Sequence, residues 1–168
     1  MNFARFTDDD MGDLISYLKS VPPVDRDSVP ISVGPVARAL LLAGKIQLSA
    51  DLIDHTRVRP DVVKPGVTVA YGRYLAAGCT GCHGPNLSGG KIDIGPPDWP
   101  QARNLTPVGD LAKWTEADFL KALRTQIRPD GTRLSEVMPT AFGQMNDTEL
   151  KALWAYLQTL PPAATGIR

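Results

Sequence analysis

Both cysteines of this chain and one of its two histidines lie within five consecutive residues, as Cys79, Cys82 and His83. Two thiols and an imidazole at this spacing could bind a metal ion, form a redox-active dithiol, or hold a cofactor covalently. The other histidine, His55, lies well before them in the chain. The residues best suited to chemistry are therefore concentrated in one short segment.

Three kinds of site use such residues. A structural zinc site needs four ligands, which would require distant His55 together with Cys79 and the adjacent pair Cys82 and His83, a poor arrangement for one tetrahedron. A thioredoxin-like dithiol needs a β-α-β context, which the surrounding sequence does not show. The pattern Cys-x-x-Cys-His is typical of c-type haem attachment, with two thioethers to the porphyrin and an imidazole on the iron. We favour the haem site.

Three helices are predicted to position this segment. One runs from Thr68 to Ala77 directly into Cys79, and its Gly72 would allow another helix to approach closely. Thr115 begins a second helix, with an apolar inner face that ends before Pro129-Asp130-Gly131 and consists of Phe119, Leu120, Leu123 and Ile127. A capping box of Asn146 and Glu149 begins the third helix, which ends at Pro161 and whose apolar residues are Leu150, Leu153, Trp154 and Leu157.

The remainder of the sequence favours an all-α protein. No run of alternating β-branched residues is long enough to predict a sheet. Between His83 and Trp114 the chain is rich in glycine and proline. A loop of this length is expected in a compact domain only if it wraps something other than polypeptide, such as a cofactor.

Several motifs form one pattern along the second half of the chain: Tyr71-Gly72-Arg73-Tyr74-Leu75, Cys79-Thr80-Gly81-Cys82-His83, Asn104-Leu105-Thr106-Pro107, Met138-Pro139 and Leu153-Trp154-Ala155-Tyr156-Leu157. With them, the region from about Val69 to Pro162 resembles a class I cytochrome c domain. It is most similar to bacterial periplasmic and membrane-associated respiratory cytochromes c, including the cytochrome subunits of quinoprotein dehydrogenases. The resemblance implies a class I cytochrome c fold wrapped around one covalent haem c.

The resemblance also implies a ligand set. Cys79 and Cys82 would bind the haem covalently, and His83 would be one axial ligand of the iron. The family places a methionine in a loop before the last helix, a place that Met138 occupies. Met145 falls just ahead of that helix and is expected to pack in the core, whereas His55 lies outside the domain and is expected to be structural or exposed.

Residues around the haem are expected from the same resemblance. In related domains a proline carbonyl accepts a hydrogen bond from the second nitrogen of the axial histidine, and Pro96 and Pro97 are the candidates here. Side chains that could bind the haem propionates are Trp99, Arg103, Trp114 and Arg124.

With His83 and Met138 both on the iron, the resemblance implies a monohaem carrier of single electrons in an extracytoplasmic respiratory or dehydrogenase chain, and not an enzyme. The alternative is a haem enzyme or a gas-sensing haem protein with an open axial site. Expected partners are redox proteins: a dehydrogenase, an oxidase or another cytochrome. Lysine plus arginine and aspartate plus glutamate both total 18, so no basic excess indicates a nucleic-acid partner.

The expected location is the periplasm or the extracytoplasmic side of the membrane, because the family assembles its thioethers there. Residues Met1 to Asp8 do not read as a signal peptide, and the longest apolar run, Val36 to Ala43, is too short to span a bilayer. We therefore expect that an N-terminal part, which could also provide a membrane association, is missing from this chain.

The first residues repeat the last helix. Phe3 to Pro23 aligns without a gap to Phe142 to Pro162, so residues 1–65 are interpreted as an N-terminal extension. It would hold the last helix of a preceding cytochrome domain and then a linker with a short helix around Pro35 to Ala43. Residues 66–168 would form the cytochrome c domain.

Overall fold

The computed structural model describes residues 5–27, 29–48, 50–51, 53–56, 62–92 and 95–167. In this part of the chain the helices are α1 (Asp8–Ser20), α2 (Pro35–Leu42), α3 (Val69–Leu75), α4 (Thr80–His83), α5 (Glu116–Thr125) and α6 (Asp147–Leu157). Short 3₁₀ helices cover Ala76–Gly78, Asp110–Lys113 and Thr140–Gln144. The same residues contain no β-strand, only the isolated bridges Gly90–Ala102 and Ile127–Arg133. The predicted all-α class is confirmed.

The chain divides into two units. One is Phe6–Asp61, with α1 and α2, and the other includes Val62–Arg168, with α3 to α6. In the first unit neither α1 nor α2 buries a residue. The interpretation of residues 1–65 as part of a preceding domain stays a prediction.

Helices α3 and α6 pack directly on each other in the second unit. Gly72 of α3 faces the backbone of α6, where a Cβ atom would overlap the carbonyl oxygen of Ala152 and approach Cβ of Tyr156 to 2.7 Å. The Tyr71 hydroxyl also donates to the Glu149 carboxylate at 3.4 Å. The absence of a side chain at Gly72 therefore sets the distance between the two helices, as its position in the sequence predicts.

The core of this unit is formed by side chains of α5 and α6 together with residues of two 3₁₀ helices and of the loop after His83. Its buried members are Ala76, Leu87, Leu111, Phe119, Leu123, Leu150, Leu153 and Leu157. The rings of Phe119 and Trp154 lie with their centroids 5.6 Å apart and their planes tilted by 40°, a favourable aromatic arrangement.

The capping box predicted for Asn146 and Glu149 is confirmed, and Thr115 and Asp118 form a second one. The Thr115 hydroxyl accepts from the Asp118 amide while the Asp118 carboxylate accepts from the Thr115 amide, and Asn146 and Glu149 make the same pair of bonds.

The prediction that Ile127 lies on the inner face of α5 is wrong. The helix ends at Thr125, Gln126 adopts a left-handed conformation, and Ile127 is exposed in the bridge to Arg133.

The long loop after His83 is ordered by buried polar groups. The Asn104 side-chain oxygen accepts from the amide and hydroxyl of Thr106 at 2.9 and 2.7 Å, and its nitrogen donates to the Ala163 carbonyl at 2.8 Å. Ser88 donates to the carbonyl of Ile167. The chain after α6 thus returns to the loop and is pinned to it.

We predict that Gly72→Ala lowers the free energy of unfolding of the second unit by about 1–3 kcal/mol, because the added methyl group would force α3 and α6 apart. Chemical denaturation followed by circular dichroism measures this. Gly12→Ala is the control: Gly12 also lies inside a helix, α1, but a Cβ there meets nothing within 4 Å. Equal effects of the two substitutions would contradict the close-approach explanation.

Candidate functional site

The two cysteines and His83 are brought together by a single helical turn. Helix α3 continues through the 3₁₀ helix Ala76–Gly78 to Cys79, where α4 follows. The amides of Cys82 and His83 donate to the Cys79 carbonyl at 3.3 and 3.0 Å. Residues three and four apart on a helix share a face, so this turn places both sulfurs and the imidazole on one wall of the same cavity.

The cysteines are present as free thiols. Burial, with a smaller contribution from the neighbouring Cys82, raises the pKa of the Cys79 thiol to about 11. A site that used a thiolate would require the opposite shift. The thiol of Cys79 is therefore held neutral by its surroundings.

The structure does not favour a zinc site. Among the residues described, no group of three or more His, Cys, Asp and Glu side chains is arranged to hold a metal ion. His55 belongs to the Phe6–Asp61 unit, whereas Cys79, Cys82 and His83 belong to the other. Among the described residues, the four ligands that zinc would need are not assembled.

One nitrogen of the His83 ring forms a hydrogen bond within the protein. The ring is buried, Nδ1 lies 2.8 Å from the Arg103 carbonyl oxygen, and burial lowers the pKa of His83. Because a carbonyl only accepts hydrogen bonds, Nδ1 carries the proton and Nε2 keeps a lone pair for a metal ion. Histidine ligands are commonly oriented in this way.

The predicted acceptor for this hydrogen bond, Pro96 or Pro97, is wrong. The Pro96 carbonyl accepts from the Trp99 amide at 3.1 Å within a local turn. The Arg103 carbonyl accepts this hydrogen bond instead of a proline carbonyl. Two backbone hydrogen bonds of 2.9 Å between Ala102 and Gly90 bring the loop back beside His83. Gly89 adjoins this contact, since a Cβ there would lie 2.6 Å from the Arg103 carbonyl oxygen.

The cavity has a volume of about 790 Å³, within the roughly 300–1,000 Å³ of cofactor sites. Its walls are mainly apolar and include Leu105, Leu111, Trp114, Phe119, Leu123, Leu153 and Leu157. Ordinary protein interiors are close-packed, so core side chains around a space of this size fit a large, mostly apolar group. Two thiols, an imidazole nitrogen and a thioether on the walls fit a haem.

Met138 lines the same cavity as Cys79, Cys82 and His83. It precedes Pro139 and the 3₁₀ helix Thr140–Gln144, and its amide donates to the Ser135 carbonyl at 2.9 Å. Met145 packs against the core and is not among the lining residues. The four residues expected to hold the haem thus share one cavity, and the competing methionine does not.

The residues proposed for the propionates separate into two groups. Arg103 and Trp114 line the cavity, whereas Trp99 and Arg124 do not. Arg124 instead donates to the carbonyls of Gly143 and Met145 at 3.0 and 3.1 Å and to the Asp147 carboxylate at 2.6 Å. Its role is to fasten the loop before α6.

Sequence reasoning missed two residues of the cavity wall, Arg128 and Arg133. Both flank the Pro129-Asp130-Gly131 turn, which the sequence indicates only as the end of a helix. The sequence signal that could have found them is the presence of an arginine on each side of a tight turn.

Comparison with known proteins identifies the family. The chain matches the family model described as Cytochrome c over residues 69–161. This match agrees with the all-α fold and with the region of the Cys-x-x-Cys-His motif, and the predicted class I fold is confirmed.

Individual relatives extend the comparison. The chain is 33% identical to the fructose dehydrogenase cytochrome subunit of Gluconobacter japonicus over 144 residues, covering 77% of this chain and 28% of that subunit. It is 33% identical to the cytochrome c subunit of alcohol dehydrogenase (quinone) from Gluconacetobacter polyoxogenes over 97 residues, covering 52% and 21%. A diheme cytochrome c-type protein of Cereibacter sphaeroides is 27% identical over 177 residues, covering 95% and 57%. The chain therefore spans between about a fifth and just over half of these relatives.

No helix within the described residues is both long and apolar enough to cross a membrane.

We predict that Gly89→Ala destabilises the second unit by about 1–3 kcal/mol more than Gly131→Ala does, the usual cost of overpacking. Both glycines have positive φ, +72° and +82°, so both substitutions cost left-handed strain of about 1–2 kcal/mol. Only at Gly89 would the methyl group also collide with the backbone that accepts the His83 hydrogen bond, since nothing lies within 4 Å at Gly131. Urea unfolding of the two variants makes the comparison, and equal losses would show that the collision is relieved without cost.

Proposed function

Because this chain belongs to the cytochrome c family, we propose that it carries one covalently bound haem c and passes single electrons between redox protein partners. The observation that supports this most directly is the shared cavity of Cys79, Cys82, His83 and Met138. When bound, haem supplies a one-electron iron couple, whose potential is raised when a methionine is an axial ligand.

Each of the four residues has a role in the proposal. The Cys79 and Cys82 sulfurs would hold the haem through two thioether bonds. His83 offers Nε2 to the iron, in an orientation fixed by the Arg103 carbonyl. Met138, on the wall of the same cavity, would offer its sulfur. The chain itself would then supply both protein ligands of the iron.

This ligand set distinguishes electron transfer from catalysis. An enzyme that activates oxygen or peroxide, or a sensor that binds a gas, needs an open position on the iron. Met138 would close that position, so the chain is proposed not to be an enzyme. The alternative is a haem enzyme or gas sensor in which Met138 only packs against the core, as methionines commonly do.

The partners are proposed from the relatives. Two of them are described as cytochrome subunits of dehydrogenases, for fructose and for alcohol. We propose that a dehydrogenase, an oxidase or another cytochrome exchanges electrons with this chain, and that it does so in the periplasm or on the extracytoplasmic side of the membrane.

We also propose that residues 1–65 contain the last helix of another cytochrome c unit, preceding the unit of residues 66–168. In the alignment, Thr7 stands opposite Asn146, and each residue caps its helix by accepting from an amide three positions later, at 3.1 and 3.0 Å. Met11, Leu14 and Leu18 stand opposite the buried Leu150, Leu153 and Leu157, although Asp13 stands opposite Ala152. Since α1 buries no residue, its apolar stripe lacks the packing that α6 has.

The central prediction concerns attachment and ligation. The purified protein should give a c-type reduced pyridine haemochrome, and Met138→Ala should lower its reduction potential and allow carbon monoxide to bind. Met145→Ala is the matched control and should do neither, because Met145 lies outside the cavity wall. Visible spectroscopy and voltammetry measure these properties.

Three results would count against the proposal. A b-type haemochrome would exclude the thioethers, and carbon monoxide binding to the unmodified protein would favour the gas-sensing or enzymatic alternative. If Met145→Ala alone allowed carbon monoxide to bind, the assignment of Met138 as the sixth ligand would be wrong.

A further inference from the structure

The segment between α5 and Met138 folds into a small hairpin that brings two arginines together. The Arg128 amide donates to the Thr132 carbonyl at 2.7 Å, and the Leu134 amide donates to the Gln126 carbonyl at 2.8 Å. Arg133 pairs with Ile127 in an isolated antiparallel bridge. The turn is held by Asp130, whose carboxylate accepts from the amide and hydroxyl of Thr132 at 2.9 and 2.6 Å.

Both arginines line the cavity, and they change its charge. The charged side chains on the described wall are Arg103, Asp110, Arg128 and Arg133. Arg103 and Asp110 form an ion pair, with Nε and Oδ2 3.6 Å apart. The wall therefore carries two further positive charges, both from the hairpin.

Neither hairpin arginine has an ion-pair partner within 4 Å in the part of the chain that the structure describes. Nη1 of Arg128 donates to the Thr132 hydroxyl at 3.0 Å and to the Arg133 carbonyl, which leaves its other guanidinium nitrogen donors available. No hydrogen bond from the Arg133 guanidinium to a described residue is observed. The carboxylate of nearby Asp130 is engaged by Thr132.

Two guanidinium groups at the edge of a mainly apolar cavity indicate an anionic ligand. The guanidinium group is planar and binds carboxylates in a two-pronged geometry, and such charge-assisted hydrogen bonds are stronger than neutral ones. Haem carries two propionate carboxylates, which equal the two unpaired charges in number. Its macrocycle is apolar, as is most of the cavity wall.

We propose that the Arg128–Arg133 hairpin is the binding site for the haem propionates in this protein. This inference rests on the proposed function, since it requires a haem in the cavity. Carboxylates could also come from acidic side chains of a redox partner. We assign the site to the propionates because both arginines lie on the cavity wall together with Cys79, His83 and Met138.

The proposed contact has an electrochemical consequence. Positive charge beside the propionates keeps them ionised and offsets their negative charge at the iron, which stabilises the reduced state. Without the two guanidiniums the site becomes more negative, and the reduction potential falls. The propionates would then also take up a proton at higher pH than before, so the potential would decrease with rising pH where it had been constant.

The test compares the holoprotein with Arg128→Gln, Arg133→Gln and the double variant. Midpoint potentials measured across pH should be lower in each variant, lowest in the double variant, and newly pH-dependent. Arg128→Lys and Arg133→Lys keep the charge and should largely restore the potential. Arg73→Gln is the matched control: Arg73 is exposed on α3 and does not line the cavity, so its potential and pH profile should match the wild type.

The outcomes separate this inference from the proposed function. A c-type haemochrome and a methionine-ligated spectrum in every variant, with potentials equal to that of Arg73→Gln, would overturn the hairpin site and leave the proposed function intact. Unchanged potentials together with slower, less salt-dependent electron transfer to a partner would assign the arginines to partner binding, which also overturns it. Failure of the wild type to attach haem would instead refute the proposed function.

Discussion

The contact between α3 and α6 at Gly72 is the constraint on which the second unit depends. Helix α3 runs through a 3₁₀ turn into Cys79, so any shift of α3 on α6 would move both sulfurs and the His83 ring. Helix α6 also supplies Leu153 and Leu157 to the cavity wall. The close approach of α3 and α6 thus fixes the position of the Cys79–His83 segment relative to the apolar residues that α6 contributes to the cavity wall.

The other side of the site is built almost without regular secondary structure. Buried polar groups take the place of a helix or sheet there: Asn104 and Thr106 hold the loop to the chain after α6, and every buried polar side-chain atom described has a partner. This matters for function because the Arg103 carbonyl belongs to the same loop. A loop that could relax would let the His83 ring rotate, whereas one fixed by buried hydrogen bonds keeps Nε2 available in one direction.

The cavity wall combines neutral and charged residues. Cys79 and His83 are both held neutral by burial, in surroundings that suit the apolar part of a macrocycle. The arginines lie on the 103–110 loop and on the hairpin before Met138. The described wall therefore combines neutral, buried groups that could ligate a metal with the two unpaired cationic side chains of the hairpin.

Met138 is a candidate through the family resemblance, whereas the sequence by itself determined what depends on neighbours in the chain: the capping box of Asn146 and Glu149 and the helix that runs into Cys79. These features need only hydrogen bonds and spacing over three or four residues. Only the tertiary structure decided that Arg103, not a proline, accepts from His83, and that Arg128 and Arg133 face the cavity. Those contacts depend on how a long loop and a hairpin close, and loop closure is governed by distant packing and buried polar partners that no local pattern encodes.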